Sequence, residues 1–533
     1  MGKHDWWKTG VIYEIYLRSF QDSNGDGIGD LNGVVQRLDY LSWLGVDAIW
    51  ISPFYPSPMA DFGYDVSDYL EVEPVFGTLA DFDRLVKAAH ERHLKVILDF
   101  VPNHTSDRHA WFLQSRASRL SSKRDWYIWR DPKPDGGPPN NWISQFGGPA
   151  WTFDEATGQY YLHSFLREQP DLNWRNSAVR EAMFDVLRFW LARGIDGFRV
   201  DVMWLLLKDD QMRDNPINPA YQLTQPDIHR TLSVYNADRP EIHALIAQLR
   251  AVVDQYSERV LIGEIYLPFE RLVTYYGESL SGTQLPFNFA LIHAVWNAKA
   301  IASLIAEYER VLPPGGWPNW VLGNHDQPRI VARVGDAQAR VAAMLLLTLR
   351  GTPTMYYGDE IGMPSVEIPP EIARDPWGKN EPGLGVSRDP SRTPMQWDDR
   401  ANAGFSTGRP WLPVESCYAE RNVARLSFDP RSILSFYHRL IELRRSHRSL
   451  QVGDIRAVGA ENDVLTYERV NDDQRVIVML NFSAEPRPLP SGLRENACVL
   501  LSTHMDREGS CGLSELRGSE GIVVLIGPAN RRF

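Results

Sequence analysis

The sequence predicts an α/β protein built on a (β/α)8 TIM barrel, with an inserted subdomain after strand 3 and a C-terminal antiparallel β-sandwich. Three observations carry this. Short β-rich apolar runs alternate with amphipathic stretches over most of the 533 residues, as parallel strands joined by helices require. Carboxylates and histidines recur just beyond successive strands, where a barrel gathers its active site. From about residue 451 the alternation gives way to strands alone. An open doubly wound sheet is the runner-up, but no glycine-rich fingerprint follows the first strand.

In chain order, residues 11–17 read as a strand and 31–44 as a helix. Residues 47–52 are a strand, 80–93 a helix and 95–100 the third strand. Residues 104–172 are rich in Trp, Pro and Gly and lack helix periodicity. The alternation resumes with a helix over 178–192, a strand over 195–200, a helix over 241–256 and a strand over 260–263. An eighth strand is read at 284–287, followed by 320–323, a helix over 337–349 and the last barrel strand at 352–356. A helix covers 432–446, and strands follow at 464–468, 475–481, 498–502 and 521–526. The resulting division is a first barrel part (1–103), an inserted subdomain (104–172), the remaining barrel (173–450, with a long excursion at about 363–430) and the sandwich (451–533).

A hydrophobic content of 43% with 18 Trp and 21 Tyr supplies ample material for cores. The formal net charge of −12 disfavours nucleic acid or an anionic membrane as partner. The longest apolar runs are too short to span a bilayer, and the N-terminal stretch has no apolar core of the signal-peptide kind. Cys417, Cys498 and Cys511 show no metal spacing. Their odd, sparse number is read as reduced thiols in a cytoplasmic protein, without a disulfide framework.

The chemistry lies at the strand ends. In the run 194–201, Arg199 and Asp201 are two apart on a strand and share a face. A guanidinium at that spacing favours an ionised Asp201, fit to act as a nucleophile; read alone, the pair would be a structural ion bridge. Asn103 and His104 follow the third strand, Glu264 the fifth, and Asn324, His325 and Asp326 the seventh. Crowding Asp201, Glu264 and Asp326 into one cleft pushes at least one pKa up, a cost that acid–base chemistry requires and a fold does not. Glu264, flanked by Ile262 and Ile265, is the group expected to be raised and to serve as general acid. Asp326 is expected to stay ionised, and His104 and His325 to bond substrate hydroxyls. A nucleophile, an acid and two hydroxyl-binding histidines point to glycoside hydrolysis. Metal-assisted hydrolysis lacks a short ligand motif.

These segments resemble the signature regions of the α-amylase superfamily, glycoside hydrolase family 13: residues 99–104 (DFVPNH), 197–201 (GFRVD), 263–264 (GE) and 324–326 (NHD), in the family's order. Residues 169–174 (QPDLNW) are similar to a further region of that family. Residues 6–30, 61–65 (DFGYD) and 392–397 (RTPMQW) are similar to its α-glucosidase and oligo-1,6-glucosidase branch. The resemblance covers nearly the whole chain and thins over the last 80 or so residues. It implies a retaining double displacement, with Asp201 as nucleophile, Glu264 as acid/base and Asp326 as transition-state stabiliser. It further implies that Asp61 and Arg392 clamp the non-reducing glucose, that Tyr64 is its stacking platform, and that Phe146 and Phe165 wall the scissile bond. The implied substrates are short α-glucosides, with glucosyl transfer to hydroxyl acceptors beside hydrolysis, and action from the non-reducing end by a monomer or homodimer. Oligo-1,6-glucosidase and trehalose- or sucrose-acting enzymes are alternatives within the family, and a non-enzymatic transporter heavy chain lies outside catalysis. In the branch, a Val after the nucleophile accompanies α-1,6 acceptance. Val202 matches, but residues 203–209 depart from the branch's text and leave the linkage open.

Residues 22–30 carry Asp22, Asn24, Asp26, the Ile28 carbonyl and Asp30 at positions 1, 3, 5, 7 and 9, with Gly27 at the turn. This is calcium-loop spacing without the bidentate Glu at position 12, which is Gly33 here. The expectation is a structural Ca²⁺ or Mg²⁺ and no organic cofactor.

Overall fold

A computed structural model describes residues 5–472, 474–489 and 497–526. Eight parallel strands close a barrel in sequence order: β1 (Ile12–Ile15), β2 (Ala48–Ile51), β3 (Lys95–Phe100), β4 (Gly197–Val200), β5 (Val260–Gly263), β6 (Leu285–Asn288), β7 (Asn319–Val321) and β8 (Thr352–Tyr356). Closure is made by β8 against β1, with Ile12 opposite Thr354 and Glu14 opposite Tyr356.

Side chains alternate between the lumen and the helix layer. Ile12, Ala48, Ile97, Val260, Phe287 and Val321 belong to one buried cluster inside the barrel. Tyr13, Ile49, Val96, Leu98, Phe198 and Leu261 belong to a second, between strands and helices. The inward parity that selects Ile12, Ile97 and Gly197 also selects Glu14, Asp99 and Arg199 one layer nearer the C-terminal rim, where register sets Asp99 beside Arg199. Gly197 leaves no space for a side chain, since a Cβ there would lie 2.4 Å from the Val260 carbonyl oxygen.

Helix ends follow local chemistry. Asp30 caps the helix Leu31–Leu44 by accepting from the Gly33 N–H at 2.7 Å, and Gly45 ends it at φ 96°. Thr78 and Asp81 form a reciprocal capping box at the head of Leu79–Glu91. Between β3 and β4 the chain forms the helix Ala110–Ala117 and a small antiparallel sheet, in which Gln159–Leu162 lies between Trp129–Arg130 and Trp151–Asp154.

A long helix and an edge strand are among the elements that escape the sequence reading. The helix Ala298–Val311 buries Ile301, Ile305 and Tyr308. The terminal sheet begins with β9 (Asp454–Glu461), an edge strand with no fully buried residue and a register shift between Arg456 and Gly459, so it shows no apolar alternation. It pairs with β10 (Val464–Val470), followed by β11 (Arg475–Asn481), β13 (Gly521–Ile526) and β12 (Ala497–Ser502) in a five-stranded antiparallel sheet. A two-stranded ribbon, Arg487–Pro488 with Glu515–Leu516, contributes Leu489 and Leu516 to the cluster on its outer face. No helix among the described residues is long and apolar enough to cross a membrane.

The cysteines depart from expectation. An antiparallel bridge sets Cys498 beside Cys511 with Cα atoms 4.3 Å apart, and the two form a disulfide. Cys417 alone is a free thiol. The expectation of three reduced thiols is therefore wrong, and the cysteine argument for a cytoplasmic setting goes with it. The pairing was hidden because proximity of residues 498 and 511 depends on strand register, not on spacing. A crosslink of sequence separation 13 is expected to contribute about 2–3 kcal/mol by restricting the unfolded chain. Reduction should lower the melting temperature, and Cys417→Ser should change the unfolding free energy by no more than about 0.5 kcal/mol. Identical melting curves with and without reductant would refute the contribution.

Candidate active site

The rim of the barrel is organised by one buried guanidinium. Arg199 Nη1 donates to Asp201 Oδ1 at 2.7 Å and to Asp99 Oδ1 at 2.8 Å, and Nη2 stands 2.7 Å from Glu264 Oε2. The Val202 N–H donates to the same Glu264 oxygen at 2.8 Å. Val202 adopts φ 36°, a left-handed conformation that a β-branched residue resists. The chain thus turns sharply off β4 directly after Asp201, and the strained peptide presents its N–H to Glu264.

Three carboxyls on one cation cannot all ionise freely. Burial, opposed by Arg199, raises the pKa of Glu264, with Asp326 and Asp99 adding to the rise. Burial also raises Asp201 well above the usual carboxylate range, with Arg199 opposing and Glu264 contributing. The expected rise in the Glu264 pKa is present. The expectation that Arg199 alone keeps Asp201 low does not hold, because the same guanidinium also serves Asp99 and Glu264. Asp201 and Glu264 therefore titrate as a pair that retains a proton.

Asp326 differs. Burial works to raise its pKa, but His325, Arg388 and Arg392 outweigh it and hold the carboxyl below its ordinary range. Arg392 Nη2 donates to Asp326 Oδ1 at 2.8 Å, with Arg388 Nη1 at 3.4 Å. Burial lowers His325 to about 3 and His104 to about 4, so both are neutral hydrogen-bonding groups near neutral pH. The His325 ring lies between Tyr16 and Tyr64, at centroid distances of 5.6 and 5.4 Å. His104 Nε2 is 3.0 Å from the Tyr64 carbonyl oxygen and 3.1 Å from Gln169 Nε2. Gln169 in turn donates to Asp61 Oδ2 at 3.2 Å.

The clamp is built differently from expectation. Arg388, not Arg392, pairs with Asp61, at 2.6 Å, and is held from behind by Asp375 at 2.6 Å. Arg392 is fully buried, donates to the His325 carbonyl oxygen and Asp326, and does not line the pocket. The two arginines are four apart, separated by the turn Asp389–Ser391. Sequence offers two equivalent candidates there, and only the fold shows which one reaches Asp61.

The pocket has a volume of about 840 Å³. Asp61, Tyr64, His104, Asp201, Glu264, His325, Asp326 and Arg388 all line it, and Arg199 stands behind them. Phe146 and Phe165 line it as well, in an edge-to-face pair at 5.3 Å. Trp377, from the excursion after β8, stacks on Phe146 at 5.6 Å, and the Arg388 guanidinium lies 4.7 Å from the Phe146 ring centre. Gln169, Asp375, Trp377 and Arg388 were not singled out from sequence. Gln169 and Arg388 sit in loops, Asp375 caps and Trp377 lies on the five-residue helix Pro376–Asn380, and only Gln169 falls inside a quoted motif.

The loop at residues 22–30 lies apart from this pocket. Asp22 accepts from the Asn24, Gly25 and Gly27 N–H groups and from the Ser406 hydroxyl. Asn24 accepts from the Asp26 N–H, and Asp26 from the Ile28 N–H. Asp30 is turned toward Ser23 and the helix start at Gly33. Among the described residues no group of three or more His, Cys, Asp or Glu is placed to hold a metal ion. The oxygens at 22, 24 and 26 and the Ile28 carbonyl have the hard-donor chemistry of Ca²⁺ or Mg²⁺. Asp30 is the member that helix capping withdraws.

A closed parallel barrel with two carboxyls on one guanidinium at its C-terminal rim, and a charged clamp across the pocket, defines a barrel glycosidase. The α-amylase catalytic domain matches residues 14–453, and the chain belongs to that family, glycoside hydrolase family 13. It is 42% identical over 498 residues (90% of each chain) to a probable alpha-glucosidase of Rhizobium meliloti. It is 39% identical over 560 residues (98% of this chain, 99% of the relative) to an oligo-1,6-glucosidase of Halalkalibacterium halodurans. The solved structure of the alpha-glucosyl transfer enzyme XgtA superposes with a TM-score of 0.92 at 40% identity, covering 98% of this chain and 100% of that one.

The raised pKa of Asp201 has a consequence for stability. A carboxyl that binds its proton more tightly when folded destabilises the fold as pH climbs from its unfolded value toward its folded one. Asp201→Asn should therefore melt at or above the wild-type temperature at neutral pH, with the gap closing toward about pH 4. A lower melting temperature at neutral pH would mean that the Arg199–Asp201 bond outweighs the crowding.

Proposed function

We propose that this enzyme is a retaining, exo-acting α-glucosidase that releases glucose from the non-reducing end of short α-glucosides. One observation carries the reading: the two Nη atoms of Arg199 hold Asp201 and Glu264 side by side on the wall of a pocket that Asp61 and Arg388 bound. Neighbouring carboxyls of this kind suit the separation of about 5–5.5 Å at which a carboxylate attacks the sugar directly. The proton of the Asp201–Glu264 pair belongs on Glu264, which gives it to the departing oxygen. Asp201 attacks the anomeric carbon and forms a glucosyl ester. Glu264, now a base, takes a proton from the incoming water or alcohol, which displaces Asp201. Asp326, held ionised by Arg392 and Arg388, offsets the positive charge that develops on the sugar ring. Asp61, Arg388, His104 and His325 bind the hydroxyls of the terminal glucose, and Tyr64, backed by His325, packs against it. Arg392 acts through Asp326 and not on the sugar.

Beyond this sugar site the lining changes character. Trp204, Ile228, Leu232 and Pro268 face the same cavity, and Leu232 remains 44% exposed. These apolar groups, set among Asn218, His229, Thr231 and Ser233, give aryl and alkyl aglycones a surface to pack on and support glucosyl transfer to alcohols as a second outcome of the same intermediate. The linkage is read from products. Hydrolysis of maltose marks α-1,4 action and of isomaltose α-1,6, while sucrose or trehalose turnover marks the related alternatives. A folded protein inert toward all four and toward an aryl α-glucoside would overturn the reading.

Asp201→Asn should lower turnover ~10³-fold or more while the protein stays folded. Glu264→Gln should slow substrates with poor leaving groups far more than aryl glucosides with good ones. Uniform slowing would remove Glu264 from the acid role. We further propose that residues 22–30 hold one Ca²⁺ or Mg²⁺ that stabilises the loop against residues 404–411. Chelation should then lower the melting temperature and leave kcat unchanged, and a melting temperature indifferent to chelator would rule the ion out.

A further inference from the structure

The reaction as described uses His325 as a hydroxyl-binding group but says nothing of what sets its tautomer. The hydrogen bonds decide it. The Tyr64 hydroxyl donates to Asp99 Oδ2 at 2.9 Å, so its only hydrogen is committed, and its oxygen stands 2.8 Å from His325 Nε2. Burial raises the Tyr64 hydroxyl well above its ordinary pKa, so that hydrogen stays in place. On the other side, Asp326 Oδ2 lies 3.4 Å from the same nitrogen. Two oxygens with no hydrogen to offer face Nε2, and Nε2 must therefore carry one.

This constrains Nδ1, which lies 2.5 Å from Glu14 Oε1. Glu14 has no exposed surface, and its second carboxyl oxygen has no hydrogen-bond partner. With Nε2 protonated and the imidazole neutral, Nδ1 is a bare acceptor, and only a carboxylic acid can approach it so closely. We propose that Glu14 is a positioning residue: its acid proton occupies the gap to His325 Nδ1 and thereby keeps Nε2 as an N–H donor facing the pocket beside Asp326.

The surroundings agree with this charge state. Burial raises Glu14 well above the carboxylate range, opposed by Arg199 and the His325 backbone N–H and reinforced by Asp326 and Asp99. Arg199 is the nearest cation named there, and it is already shared among Asp99, Asp201 and Glu264. Tyr356 and Tyr357, on and after β8, are the remaining titratable groups beside Glu14 and are themselves pushed upward by burial. An ionised Glu14 would draw the imidazole proton to Nδ1 and turn a bare Nε2 toward Asp326, where it could no longer donate to a sugar hydroxyl.

The kinetic arm of the test rests on the glucosidase reading, whereas the spectroscopic arm needs no substrate, so the two can fail separately. The protein is labelled with ¹⁵N-histidine, and the His325 signals are assigned by their loss in His325→Asn. At neutral pH the expected pattern is a protonated Nε2 with Nδ1 bare or sharing its proton. The same pattern is expected in Glu14→Gln, whose amide N–H replaces the acid proton, with kcat/KM within about threefold of wild type. Glu14→Leu removes the donor and should lower kcat/KM about tenfold, mainly through KM, because a buried acceptor is left unpaired. A bare Nε2, or an imidazolium with both nitrogens protonated, in the wild-type protein at neutral pH would overturn the proposal. So would a folded Glu14→Gln with a tenfold loss, or a folded Glu14→Leu with wild-type kinetics. If Glu14→Leu does not fold, the wild-type and Glu14→Gln spectra still decide.

Discussion

The structure depends on burying a single arginine among carboxyls that repel one another. Arg199 bonds Asp99 and Asp201 and stands within 2.7 Å of Glu264, with almost no solvent on any of them. Leaving buried charges unpaired costs on the order of 3–5 kcal/mol, so these carboxyls are not independent decorations of a rim. Their positions are mutually enforced. The barrel supplies the geometry through strand parity: Asp99 and Arg199 are register partners on neighbouring strands, and Asp201 and Glu264 continue the inward faces of β4 and β5. A small structural excess of negative charge is what gives the pair Asp201 and Glu264 a retained proton, and that proton is the reagent of the proposed chemistry.

Around this centre the loops divide the labour by charge. Arg388 and Arg392 keep Asp326 ionised while burial and crowding keep a proton on the Asp201–Glu264 pair. Carboxyls in one cavity thus reach opposite protonation states through different partners. The segment between β3 and β4 brings His104, Phe146, Phe165 and Gln169, and the excursion after β8 brings Asp375, Trp377 and Arg388. They meet on the pocket wall, where Arg388 lies over Phe146 and bonds Asp61. The histidines contribute without charge, and in the proposed arrangement Glu14 sets the tautomer of His325 from behind.

Much of this could be read from residues alone. The barrel strands appeared in their places because apolar alternation is a local property, and 95–100, 260–263 and 352–356 coincide with the observed strands β3, β5 and β8. The carboxylates after β4, β5 and β7 were recognisable because a barrel has one chemically distinct rim. The edge strand β9 was not, since a half-solvated strand with a register shift carries no alternation. The helix Ala298–Val311 was passed over, although its buried positions 301, 305 and 308 follow helical spacing.

By itself the sequence determined the fold class, the family and the three carboxyls that meet at one pocket, because strand period, inward parity and short motifs are encoded over a few residues. Tertiary structure alone decided which arginine meets Asp61, which cysteines pair, how strongly Asp201 resists ionisation and what stands behind His325. Each of these depends on groups brought together from far apart, such as Arg388 and Asp61, 327 residues distant in the chain. Electrostatics at such a site is a sum over neighbours that no linear window contains.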